Sequence, residues 1–225
     1  MNIDPSLEPD NYIITRKRKL YKFASFARLA NCYSETKWQE AKQSILHNSL
    51  PLTLEVGAGD GLFLTKLAEA HPERQFIALD RKSDRLYRGA KLANESKLTN
   101  ILYLWSNADN LRRLLPDQLI RTIWLTFPDP WPQESNIKHR LTNRQHLLSY
   151  HQLLAPNGQL KLKTDNDNLF DWSVQQFTME KWQIDRISHD LYGDKIAGDT
   201  TVKTTYEERY LAEGKKINYL AVGKI

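Results

Sequence analysis

Glu55, Asp80, Asp109 and Asp129 are the acids of this chain placed to do chemistry, because each stands where an apolar run meets turn-forming residues. Glu55 opens Glu55-Val56-Gly57-Ala58-Gly59-Asp60-Gly61. Glycines there let the backbone turn sharply and approach a ligand that a Cβ would exclude. A carboxylate beside such a turn receives a pyrophosphate poorly and a cation well. The third glycine of the nicotinamide-dinucleotide fingerprint is also missing, since Leu62 occupies its place. Asp80 closes the next apolar run, where an acid can accept from both hydroxyls of a ribose or cap the following helix. Asn107-Ala108-Asp109 follows a third run; Asp109 can accept from an adenine amino group, N-cap the next helix, or do both. Asp129 sits inside Thr126-Phe127-Pro128-Asp129-Pro130-Trp131-Pro132. Prolines fix φ and remove donors, so this stretch is a stiff ledge presenting one carboxylate.

These positions ask for a ligand with a ribose, an adenine amino group and a cationic head, but no phosphate. S-adenosylmethionine fits, leaving as S-adenosylhomocysteine. Its contacts are expected from Glu55, Gly57, Gly59, Asp80, Asn107, Ala108, Asp109 and Asp129. The scattered histidines show no zinc spacing, so no metal is expected.

The elements that must position these residues alternate. Apolar runs over 52–56, 75–80, 100–105, 121–127, 158–164, 182–187 and 217–222 read as strands, with helical patterns between most of them. The run 121–127 is almost wholly apolar, as in a parallel strand covered on both faces. The spacing predicts a doubly wound α/β fold with a seven-stranded, mostly parallel sheet. In open sheets of this kind ligands bind outside the carboxyl ends of the strands, where all four acids fall. Pro156-Asn157-Gly158 reads as a turn, and 193–205 as a long irregular connector.

At 40% hydrophobic residues the chain can bury a sizeable core, which excludes disorder throughout. No stretch reaches the roughly 18 apolar residues of a membrane span, and the acidic first ten residues are unlike a signal peptide. Cys32 is the only cysteine, which suits a reducing, cytoplasmic compartment. Net charge of +5 is a modest bias toward polyanions. It concentrates in Arg16, Lys17, Arg18, Lys19, Lys22 and Arg28, interleaved with Tyr21, Phe23 and Phe26 and free of acids. That stretch reads as a solvated tail or helix whose aromatics pack on the domain, or as a phosphate-contacting arm. Residues 1–35 are accordingly expected to form a basic arm and 36–225 the catalytic domain; the choice between monomer and homodimer stays open.

Glu55-Val56-Gly57-Ala58-Gly59, Phe127-Pro128-Asp129-Pro130-Trp131, Lys163-Thr164-Asp165 and Thr204-Thr205-Tyr206-Glu207-Glu208-Arg209 occur in this order. Through them the chain, over roughly residues 50 to 225, resembles the tRNA (guanine-N7-)-methyltransferases, which act on the variable-loop guanosine at tRNA position 46. The resemblance implies a Rossmann-like S-adenosylmethionine-dependent methyltransferase fold and tRNA as partner. It implies cofactor contacts from Glu55, Asp80, Asp109 and Asp129, with Asp129 as the active-site residue. It further implies tRNA contacts from Asp165, Thr204, Thr205, Tyr206 and Glu207. Lys138, His139 and Arg140 remain of the basic stretch after the ledge, whereas Gln133 and Thr205 stand where the family often has lysines. A methyltransferase of small molecules or proteins would share the glycine turn and Asp80 but leave the ledge and the basic stretch unexplained. A silent RNA-binding relative would have no use for Glu55, Asp80 and Asp129 together.

Overall fold

The computed structural model describes residues 17–46 and 50–224. One sheet runs in the order β1-β4-β3-β2-β5-β6-β8-β7. Its strands are β1 (Cys32–Ser34), β2 (Leu52–Val56), β3 (Gln75–Asp80), β4 (Ile101–Trp105), β5 (Ile120–Thr126), β6 (Leu154–Thr164), β7 (Gln183–Ser188) and β8 (Asn218–Gly223). The first six are mutually parallel, and the last two add an antiparallel edge. The helices are α1 (Lys17–Phe26), α2 (Glu35–Ile45), α3 (Leu62–Ala70), α4 (Ser83–Glu95), α5 (Leu111–Leu114), α6 (Arg144–Leu153), α7 (Asp167–Met179) and α8 (Thr205–Ala212).

The apolar runs are continuous because both faces are covered. In β3, Phe76 and Ala78 join a core with Phe63 and Leu64 of α3, while Ile77 and Leu79 join one with Tyr150 and Leu153 of α6. Alternation along a strand sends these pairs to opposite faces. The chain leaves β2 for β3 on one side and returns to β5 on the other, so the strand order reverses between β2 and β5. A crevice opens at such a switch point.

Three differences from expectation have physical causes. The sheet has eight strands instead of seven, because Cys32–Ser34 pairs with Tyr103–Trp105 at the edge and three residues are too few to show a period. Pro156-Asn157-Gly158 is a bulge within β6, where pairing jumps from Ile120–Leu154 to Thr122–Gln159. The connector 193–205 ends in α8, whose start is a reciprocal cap: Glu207 N–H donates to Thr204 Oγ1 at 2.9 Å, and Thr204 N–H to Glu207 Oε2 at 3.1 Å. The Thr-x-x-Glu spacing announces this cap in the sequence.

Of the expected basic arm, residues 1–16 and the side chains of Lys17 and Arg18 lie outside the described residues. From α1 onward the chain is packed on the domain. Phe23 and Phe26 are buried, and Phe23 meets Trp105 edge-on at 5.0 Å. Among the described residues no helix is long and apolar enough to cross a membrane, and no group of acids, histidines and cysteines is placed to hold a metal ion.

Candidate active site

A cleft of about 410 Å³ lies at the carboxyl ends of β2 to β6. Its floor is the glycine turn. Gly57 and Gly59 have φ of +76° and +57°, which residues with a Cβ adopt at a cost. The N–H groups of Gly57 and Ala58 both donate to the Leu79 carbonyl, tying the turn to the end of β3.

Glu55 ends up fully buried beneath this turn. Its Oε1 accepts from the Thr126 hydroxyl at 2.6 Å, while Oε2 is buried without any partner among the described residues. Burial pushes its pKa up to about 8, aided by Asp60 and Asp80 and opposed by the Thr126 bond and Lys163. An orphaned carboxylate oxygen on a cleft floor is what a bound cationic group would satisfy. Asp80 is also buried, which raises its pKa against the pull of two backbone donors: Gly59 N–H at 2.9 Å and Lys82 N–H at 2.8 Å. It fastens the two turns together and supplies no side-chain cap to α4, and each oxygen keeps acceptor capacity for a ribose hydroxyl.

Asn107, Ala108 and Asp109 line the next stretch of wall. Asp109 is no helix cap: the short helical turn Ala108–Asn110 begins without one. Instead Asn107 donates to Asp109 Oδ2 at 2.9 Å, and the buried His146 places Nε2 3.7 Å from Asp109 Oδ1. Burial lowers the His146 pKa. All eight residues expected to hold the cofactor therefore line one cleft. The acids and the orphaned Oε2 fit S-adenosylmethionine, with its ammonium, ribose and adenine and no phosphate.

Asp129 stands on the cleft edge, exposed, its carboxylate unpartnered among the described residues. The ledge that holds it is strained as well as proline-stiffened. Phe127 and Trp131 have φ of +48° and +42°, and each precedes a proline, which favours extended backbone. Such outliers cost about 1–3 kcal/mol apiece and persist only when neighbours over-determine them. Here Arg140 is the clamp. Its guanidinium donates to the carbonyls of Pro130 at 2.9 Å and Trp131 at 3.1 Å and stacks over Trp172 at 4.5 Å.

Two residues expected to contact tRNA are thus placed otherwise. Arg140 is buried behind the ledge and does not line the cleft. Glu207 is fully buried: it accepts from Lys163 Nζ at 3.0 and 3.2 Å and from the Tyr192 hydroxyl at 2.7 Å. Lys163 also donates to the carbonyls of Thr200 and Val202, so this pair fixes the connector over the cleft. Burial lowers the Lys163 pKa, against the pull of Glu207. The other expected contacts, Lys138, His139, Asp165, Thr204, Thr205 and Tyr206, do line the cleft. Thr204 is buried as the cap of α8, and Asp165 pairs with Lys215 at 3.6 Å. Thr126, His146 and Tyr210 also line the cleft; Thr126 and Tyr210 border the motifs but carry no charge to mark them, and His146 is far from the motifs along the chain.

A doubly wound sheet with an antiparallel edge, and a cleft at its switch point with Glu55 and Asp80 on the floor, is the architecture of an S-adenosylmethionine-dependent methyltransferase. The 16S rRNA methyltransferase KamB shares this fold, with a TM-score of 0.62 at 18% identity over 82% of this chain and 93% of that one. An antibiotic-related methyltransferase gives 0.61 at 20% identity over 82% and 92%. A family model described as a putative methyltransferase matches residues 49–220. Curated tRNA (guanine-N(7)-)-methyltransferases from Brevibacillus brevis and Cytophaga hutchinsonii are 39% and 37% identical, covering 76% and 82% of this chain and 79% and 83% of their own. The chain belongs to the tRNA (guanine-N(7)-)-methyltransferase family.

Proposed function

We propose that the protein methylates N7 of a guanosine in tRNA, the variable-loop position 46 being the target its motifs imply. The observation that supports this most is Asp129, a free carboxylate on a clamped, strained ledge beside a cofactor cleft. When bound, S-adenosylmethionine supplies an electrophilic methyl group on a positively charged sulfur. Glu55 would hold its ammonium, Asp80 its ribose, and Asp109, oriented by Asn107, its adenine.

Guanine N7 has a free lone pair and no proton to lose, so the site needs no base at the nucleophile. It needs alignment, with reacting atoms brought to about 3–3.5 Å. Asp129 serves that need by accepting from the N–H edge of the base, and its charge favours a purine that becomes positive as the methyl arrives. Thr205 and Tyr206, exposed at the mouth, and the exposed Lys138 and His139 on the same cleft are available to the RNA.

The test is incubation with labelled S-adenosylmethionine and bulk tRNA, followed by nucleoside analysis. Label in 7-methylguanosine, with a tRNA lacking guanosine at position 46 unlabelled, is expected. Label in any other nucleoside would overturn the assignment.

A further inference from the structure

The cleft has an acidic floor and a basic rim, and the rim has no use for the cofactor. Arg81, Lys82 and Arg85 line it where β3 passes into α4. Arg81 and Arg85 are exposed. None of the three side chains has a hydrogen bond or ion pair among the described residues, although Lys82 and Arg85 lie near enough to Asp80 to lower its pKa somewhat. Farther along the same face the cations are paired: Arg88 with Asp60 at 3.1 Å, Lys91 with Glu95 at 3.5 Å. The unpaired ones also sit at the helix N-terminus, where the macrodipole disfavours positive charge. A sulfonium cofactor without phosphate is repelled by such a rim, whereas a polyanion is attracted.

The described part of the basic N-terminal stretch, α1, packs against the same helix. Tyr21 of α1 meets Tyr87 of α4 at 6.4 Å, and Phe23 meets Trp105, whose indole N–H donates to the Arg81 carbonyl at 3.2 Å. Lys19 and Lys22 ride on α1, likewise without a partner among the described residues.

We propose that Arg81, Lys82 and Arg85, extended by Lys19 and Lys22, form a phosphodiester-binding site that grips the RNA backbone beside the base entering the cleft. This rests on the tRNA reading of the cleft. It assigns the affinity to one side of the cleft, where α1 packs against α4.

The test compares wild type with Lys82→Gln/Arg85→Gln, Lys19→Gln/Lys22→Gln, the charge-keeping Lys82→Arg/Arg85→Lys, and the control Lys91→Gln. tRNA binding is measured across a salt series, cofactor binding by calorimetry, and folding by melting temperature. Every phosphate that a variant no longer neutralises lowers the log–log salt slope by about 0.7–0.9. Either glutamine pair should therefore flatten the slope by about 1.5 and weaken tRNA binding at least tenfold, with the cofactor Kd within twofold of wild type. The charge-keeping variant should restore the slope, and Lys91→Gln should leave it unchanged. A slope unmoved in folded glutamine variants would overturn the proposal. So would a loss of cofactor affinity with the slope intact, which would assign the rim to the cofactor. Wild type forming no 7-methylguanosine would instead defeat the tRNA reading, a separate outcome.

Discussion

Glu55 is an acid that the free protein holds protonated at neutral pH, since burial pushes its pKa up to about 8. A cationic head group bound at its orphaned oxygen favours the carboxylate, so binding below that pH expels a proton. Cofactor affinity should then rise toward pH 8, by up to about tenfold per unit, and fall again once the cofactor's own ammonium titrates. Calorimetry at pH 7 in two buffers of different ionisation heat should show the proton leaving. Glu55→Gln should bind more weakly and release none. Proton release unchanged in the variant would remove Glu55 from the binding site. Asp129 differs in being exposed and unburdened by any packing role. Asp129→Ala should melt within about 2 °C of wild type, as surface changes do, while single-turnover methyl transfer drops by about 100-fold or more. A rate within a few-fold of wild type would deny the carboxylate a part in the reaction.

The elements hold these residues by means that differ in how readable they were. Seven of the eight strands and the glycine turn were legible because apolar runs and glycines act locally, whereas the three-residue β1 was not. The ledge was legible as stiff but not as strained: aromatic side chains avoid positive φ, so nothing about Phe127 or Trp131 announces it. Arg140 read as one more cation for RNA because its partners are carbonyls, which have no sequence signature. Glu207 was expected to contact tRNA because its partner, Lys163, is distant in sequence and in another element. That pair is fully buried, so removing one partner leaves a charge stranded at a cost of about 3–5 kcal/mol. Lys163→Met should shift the urea midpoint accordingly. The double variant Lys163→Met/Glu207→Gln should recover part of the loss, because no charge remains stranded. A double variant as unstable as the sum of the singles would mean that the two groups are not coupled.

At the scale of the whole molecule, residues 17–35 join the chain's start to its cofactor cleft. β1 extends the sheet at β4, and α1 covers α4. Glu35, the first residue of α2, accepts from Ser106 Oγ at 2.5 Å, from Asn110 Nδ2 at 2.8 Å and from the Arg113 guanidinium. Ser106 itself lines the cleft, next to Asn107 and Asp109. A chain beginning at residue 36 would therefore lose an edge strand, two buried phenylalanines and the anchor of the cleft-lining loop 106–110. Burying two such rings is worth about 3–6 kcal/mol. At about 2–4 °C per kcal/mol for a domain of this size, the truncated chain should melt at least 6 °C lower. Its cofactor affinity should fall too, because Ser106 to Asn110 would no longer be held from below. Glu35→Gln in the full chain separates the two effects: it should weaken cofactor binding with little change in melting. A chain starting at residue 36 that melted with the intact protein and bound the cofactor equally well would make α1 and β1 a detachable appendage.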